Sequence, residues 1–319
     1  MTRRGLVLGA GGVLGFSWMV GALAALEQIE GFDVREMEVC VGTSAGSVSA
    51  AMLGCGISVE QMLRHQRGER PAPDDPPIAF DYNADSGGAL PPRPALRFGS
   101  PKLAWQVARQ PRRFPPLAAM SAALPRGRGT LEPVTRVVAG LAGAQPWPER
   151  PRAWVVAMDY DSGRRVAFGR NGAPAASLAQ AVTASCSIPG WYAPTVINGR
   201  RYVDGGICSA TSADLLAGFG LDEVYVLAPM ASFTMDRPRS ATARLERRFR
   251  QATTKRMQRE AAKLRVGGTE VIMLGPGPED LAAIGANLMN PRRRARVLET
   301  SLRTSTAALR RDNTATGLR

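Results

Sequence analysis

Apolar residues in the first fifty positions fall into short runs broken by glycine-rich turns. Leu6 to Leu8 has the pattern of a short strand, Gly9 to Gly15 follows as a glycine loop, and Phe16 to Ile29 (FSWMVGALAALEQI) is a predicted helix. The unit repeats with a strand at Met37 to Val41 and a helix over Ala45 to Leu53. Strand, loop and helix occurring twice in succession predict a parallel sheet covered by helices. Later apolar runs at Trp154 to Met158, Arg165 to Phe168, Val224 to Ala228 and Val271 to Leu274 predict further strands, and Ser177 to Ala184 predicts a helix. Arg201-Tyr202-Val203 reads as a strand running into Asp204-Gly205-Gly206. Over 240–265 and 292–310 the pattern is helical, with Leu245, Phe249, Ala252, Ala261 and Leu264 forming an imperfect apolar stripe.

Residues 66–130 break this regularity. They contain PAPDDPP, LPPRP and PRRFPP, so an irregular insertion or lid is expected there, with one short helix near Leu103 to Ala108. The whole of 1–319 reads as one domain carrying this insertion, with 237–319 as its basic helical C-terminal part.

Composition narrows the class. With 45% hydrophobic residues and a mean hydropathy of −0.12, the 319-residue chain can bury a sizeable core without staples. Cys40, Cys55, Cys186 and Cys208 form no C-x-x-C pair, so free thiols are expected and neither a metal nor another cofactor is called for. Met1 to Arg4 followed by an uncharged run from Gly5 to Leu26 has the outline of a secretory leader or a membrane span. Gly9, Gly11, Gly12, Gly15 and Gly21 interrupt that run, and a cytoplasmic protein is the expectation.

The net charge of +14 is unevenly spread: 237–265 carries +9, 292–311 carries +6, and the remainder is near neutral. Such segments are either solvated helix faces or a surface for an anionic partner, and peripheral contact with an anionic membrane is the expectation. No nucleic acid is expected, because the chain has no reading motif and no aromatics interleaved with the basic residues.

Gly42-Thr43-Ser44-Ala45-Gly46 is a G-x-S-x-G pentapeptide between a predicted strand and a predicted helix, which is the setting of a nucleophile elbow. The glycines allow close backbone approach, and the helix N-terminus favours a developing negative charge. A glycine-rich turn with an N-capping serine would look similar. A serine nucleophile also needs a base. The chain has one histidine, His65, and a triad with its histidine late in the sequence is excluded; a surface position is the plain reading of His65. A lysine or a carboxylate remains. Asp204 is the best candidate, its carboxylate expected to point out of a tight turn at a sheet edge, although an Asx-turn would use the same residue. The amides of Gly11 and Gly12 can aim at one oxygen as an oxyanion hole. A dinucleotide loop fits poorly, since Leu14 stands where the third glycine belongs and Asp33 precedes the second strand instead of ending it.

Together these pieces resemble the patatin-like phospholipase family, which has a glycine-rich oxyanion loop, a G-x-S-x-G elbow about thirty residues on, and a much later D-G-[GA]. Here they are Gly9 to Gly15, Gly42 to Gly46, and Asp204-Gly205-Gly206. Ala184-Ser185-Cys186-Ser187-Ile188-Pro189 through Pro194 also looks like the family's stretch before its aspartate, so the resemblance spans roughly 5–55 and 150–230. It implies a three-layer α/β/α fold with a mostly parallel sheet and a Ser-Asp dyad hydrolysing acyl esters of lipids, without a metal. Ser44 would be the nucleophile, Asp204 the base, and Gly11 and Gly12 the oxyanion donors, with Gly9, Gly15, Gly42, Gly46, Gly205 and Gly206 shaping the turns. Leu14 departs from the family's usual cation at that position, which weakens the case for phospholipid against other esters. A non-catalytic lipid- or partner-binding protein on the same fold is the alternative.

Overall fold

Alternation along three strands divides the core. In β1 (Arg4–Leu8), Leu6 and Leu8 point to one face and Val7 to the other. In β2 (Val39–Thr43), Cys40 opposes Val39 and Val41, and in β3 (Arg152–Asp159), Val155 and Ala157 oppose Trp154 and Val156. The remaining strands are β4 (Arg165–Phe168), β5 (Thr195–Ile197), β6 (Arg200–Asp204), β7 (Glu223–Leu227) and β8 (Glu270–Leu274). The computed structural model describes residues 2–82, 84–85, 88, 90–95, 98–143, 147–234 and 241–316.

The eight strands form one sheet in the order β5-β6-β3-β2-β1-β7-β8, with β4 also paired to β3. The β3–β2–β1–β7–β8 run is parallel, while β4, β5 and β6 join antiparallel. The helices are α1 (Gly12–Glu30), α2 (Ala45–Gly54), α3 (Val59–Arg67), α4 (Pro101–Arg109), α5 (Pro116–Ala123), α6 (Glu132–Ala142), α7 (Leu178–Cys186), α8 (Ala241–Val266), α9 (Pro278–Ile284) and α10 (Arg294–Thr316). One face of the sheet is covered by α1, α2, α7 and α10, with α3, α6 and α9 packed alongside; α4, α5 and α8 cover the other. This is the expected three-layer arrangement.

Several predicted boundaries shift for physical reasons. The second strand starts at Val39, because Val34–Glu36 makes a 3-10 turn before it. The first helix starts at Gly12, so Gly12 to Gly15 form its first turn instead of extending the loop. Residues 66–130 are less irregular than their prolines suggested. Pro101 and Pro116 open α4 and α5, where the missing amide costs nothing, and Ser100 caps α4 by accepting from the Leu103 amide at 3.2 Å. Leu103, Ala118 and Ala122 are buried against Met158, Tyr160 and Val203.

Among the described residues α1 is the one helix long and apolar enough to cross a membrane, yet here it lies in the core against α10. Gly21 makes this packing possible: a Cβ there would stand 2.6 Å from the Leu298 carbonyl oxygen. The four cysteines are free thiols. Of the basic segments, 237–240 lies outside the described residues.

Candidate active site

Two consecutive positions of β3 bring Ser44 and Asp204 together. Thr43, at the end of β2, pairs with Val156, and Asp204, at the end of β6, pairs with Ala157. Two strands far apart in sequence therefore finish at the same height on one scaffold. β6 is flanked by β5 and β3, so Asp204 does not sit at the expected sheet edge. Instead of pointing out of the turn, it is only 5% exposed.

Ser44 occupies a backbone conformation that side chains rarely adopt, with φ 53° and ψ −122°. The neighbouring glycines leave room for it. A Cβ on Gly46 would run into the Leu8 carbonyl, and one on Gly42 would stand 2.5 Å from the Gly46 oxygen. The elbow is also held from outside. The Ser44 amide donates to the Ser185 hydroxyl at 2.8 Å, and that hydroxyl donates to the Val156 carbonyl at 2.6 Å. From within α2, Ser47 donates its hydroxyl to the Ser44 carbonyl at 2.6 Å. Ser185 and Ser47 were not singled out as site residues from the sequence. Ser185 lies within 184–194, the stretch that resembles the family's before its aspartate, but small polar residues in a helix give no periodic signal.

The Asp204 carboxylate accepts from the Gly206 amide at 2.7 Å, and its own amide donates to the Ser187 carbonyl at 3.0 Å. Gly205 packs so closely on the Val156 carbonyl that a Cβ has no room. Burial pushes the Asp204 carboxyl up to about 6, opposed by the adjacent Ser44 hydroxyl and the Gly206 amide, which favour its charged form. Near neutral pH it is thus mostly ionised and a stronger base than an ordinary aspartate.

The glycine loop is fixed by distant carbonyls. Gly9 donates to Leu227 at 2.9 Å, Ala10 to Ala210 at 2.8 Å, and Leu14 to Leu288 at 2.9 Å, while the Gly15 amide closes the first helical turn onto Gly11 at 2.9 Å. Gly12 has a φ of +60°, and a Cβ there would stand 2.9 Å from the Met289 sulfur. Among the described residues the amides of Gly11 and Gly12 meet no acceptor. Gly12 and Val13 line the same cavity as Ser44, while Gly11 lies buried behind them.

That cavity, about 110 Å³, opens to solvent and is walled by Phe16 of α1, Val48 and Met52 of α2, and Leu131, Val134 and Val137 of α6 or the turn before it. Ile78, Phe80 and Tyr82 from the insertion complete it. Among the described residues Asp85 is the one charged residue in the wall. Cys186 also lines it, with burial pushing its thiol up to about 12, so it stays neutral. Leu14 is fully buried in the core and offers the cavity nothing. His65 is not on the surface as expected. It is half-buried, its Nδ1 lies 3.3 Å from the Tyr82 hydroxyl, and burial lowers its pKa. Its partner is therefore a wall residue of the cavity.

None of the curated proteins compared with the chain matches it. Solved structures of two proteins are among those similar to it. That of VipD from Legionella pneumophila is 14% identical with a TM-score of 0.41, the likeness covering 97% of this chain and 67% of that one. That of the type III effector protein ExoU is 15% identical with a TM-score of 0.39, covering 97% of this chain and 53% of that one. The present chain thus spans about half the length of the second. The sequence profile of the patatin-like phospholipases matches residues 6–217, a stretch that holds the glycine loop, the Ser44 elbow and Asp204, and the chain belongs to the patatin-like phospholipase family.

Proposed function

We propose that the protein hydrolyses carboxylic esters of lipids through a Ser44–Asp204 dyad. The observation that carries this reading is the pairing of a strained, buried serine with a buried carboxylate held near pKa 6, at the end of an apolar cavity. Asp204 takes the Ser44 proton as Oγ bonds to the ester carbonyl carbon. The resulting oxyanion sits at the glycine loop, where Gly11 and Gly12 supply amides beside the positive end of α1. Collapse breaks the bond to the alkoxy oxygen, and Asp204 returns the proton to the departing alcohol. Water then gives a proton to Asp204 and attacks the acyl-serine, and the acid leaves as Ser44 regains its proton.

The cavity wall suits an acyl chain. Among the described residues its lining holds no cation, which together with the burial of Leu14 supports a neutral ester over a phosphate-bearing one. The ester would enter, and the product acid leave, through a lipid surface, so peripheral membrane contact belongs to the reading. The basic helices are only partly available for it. Arg247 and Arg250 are buried beside Glu246, and Arg256 pairs with Glu260. Lys255, Arg259 and Arg296 are among the cations that remain exposed.

The test is lipid profiling of a mixed extract with wild type, Ser44→Ala and Asp204→Asn. Release of fatty acid from neutral esters by wild type alone supports the reading; equal release by either variant overturns it.

A further inference from the structure

The segment that closes the cavity carries a surface of unusual composition. It lines the cavity up to Asp85, covers the opposite face of the sheet as α4 and α5, and meets the cavity wall again at Leu131. On its outer side stand Phe98 (74% exposed), Trp105 (60%), Met120 (64%) and Leu124 (40%). Over 98–128 the segment also holds Lys102, Arg109, Arg112, Arg113, Arg126 and Arg128, with no carboxylate among them. All six cations are exposed. Lys102 faces Asp161 across the packing, but the segment itself supplies no counter-charge, and a soluble face seldom sets large exposed aromatics among so many cations.

Helix α4 shows how the two kinds of residue are arranged. Leu103 faces the core, while Lys102, Trp105 and Arg109 share the opposite face at helical spacing. The Arg109 guanidinium lies over the Trp105 ring at 4.4 Å, which leaves the indole flanked by charge and open to one side. Beyond α5, the chain binds directly to the cavity rim. Phe98 bridges Pro125, and the Gly129 amide donates to the Trp191 carbonyl at 2.9 Å, next to the wall residue Tyr192. Exposed Leu124 and Phe98 therefore adjoin the rim.

We propose that residues 98–128 form the surface by which the protein docks on an anionic lipid bilayer, with Phe98, Trp105, Met120 and Leu124 entering the interface and the six cations meeting the headgroups. The proposal rests on the acyl-lipid reading above. It places the bilayer against the rim instead of against α8 and α10, so that a lipid chain leaves the membrane beside the cavity. Aromatic anchors with flanking Lys and Arg are the chemistry of an interfacial surface. A nucleic acid or an acidic protein would use the cations but would leave the aliphatic Met120 and Leu124 unpaired.

The experiment is co-sedimentation of the full-length Ser44→Ala protein with vesicles of phosphatidylcholine, alone or with about a third phosphatidylglycerol. Binding is expected with the mixed vesicles and not with the neutral ones. Charge reversal at Lys102, Arg109, Arg112 and Arg113 together should lower it about tenfold or more, as should Phe98→Ser with Trp105→Ser. Reversal of exposed Lys255 and Arg259 on α8 should change it less than about threefold. Quenching of tryptophan emission by brominated lipid should fall sharply in Trp105→Phe, a variant that keeps a ring beneath the Arg109 guanidinium. Binding that ignores lipid charge, survives the substitutions within 98–113 or leaves Trp105 unquenched would overturn the docking surface. Hydrolysis of a soluble short-chain ester by wild type and by the 98–113 variants, all with Ser44 in place, is a separate readout. Its absence in wild type sinks the acyl-hydrolase reading alone, while sedimentation still decides the docking.

Discussion

The Ser44 amide is held by the Ser185 hydroxyl, 2.8 Å away on a helix 141 residues later in the chain. Because Ser185 also donates to Val156 at 2.6 Å, one side chain links the elbow, α7 and the central strand β3. Replacing it with alanine leaves a buried amide and a buried carbonyl without that partner. Ser185→Ala should therefore cost about 1–3 kcal/mol of stability, read by chemical denaturation. It should also lower kcat about 10–100-fold for a soluble ester through a misaligned nucleophile, with KM little changed.

Asp204 must be ionised to accept the serine proton, and burial raises its carboxyl to about 6. Activity against a soluble acyl ester should thus rise with pH through a single ionisation near 6 and level off above pH 7. A pH profile of kcat/KM in wild type checks this. Ser185→Ala should keep the same midpoint at a lower plateau.

The same burial has a cost in stability. A folded-state pKa above the unfolded value means that Asp204 favours the fold only while protonated; that contribution is complete below about 3.8 and lost as pH rises through about 6. The difference corresponds to about 3 kcal/mol as an upper figure. Asp204→Asn keeps an acceptor for the Gly206 amide but carries no charge. It should be inactive yet melt higher than wild type at pH 8, with the gap closing toward pH 4. Thermal denaturation at both pH values measures the gap.

Val48 and Met52 face the cavity from the helix that carries Ser44. Val48→Trp should fill much of the space for the chain. Short esters of two to four carbons should keep kcat/KM within about threefold, while long-chain esters should lose about tenfold or more. A chain-length series on wild type and Val48→Trp tests whether the cavity holds the acyl group.

The legible parts of the molecule were those where local chemistry leaves few choices. Gly42, Ser44 and Gly46 announce an elbow, since a side chain at either glycine would meet backbone. Asp204 before two glycines was visible as a turn, but its burial was not. Its closeness to Ser44 comes from the register of β3 with both β2 and β6, which no local pattern encodes. The prolines of 66–130 read as breakers because a proline at the first helical position looks like one that ends a helix; Pro101 and Pro116 begin helices here. The cavity wall from Ile78, Phe80 and Tyr82 was hidden for the same reason, as alternating apolar residues in a proline-rich stretch suggest no element. The burial of His65 is not legible either, because a polar residue near a helix end gives no sign that a distant tyrosine covers it.

The most direct measurement is labelling with an acyl-chain fluorophosphonate, followed by intact mass and peptide mapping. One adduct per chain, located on Ser44, lost in Ser44→Ala and slowed about a hundredfold or more in Asp204→Asn, is the expected result. An unlabelled wild-type chain, or an adduct that maps elsewhere and persists in Ser44→Ala, would contradict the dyad.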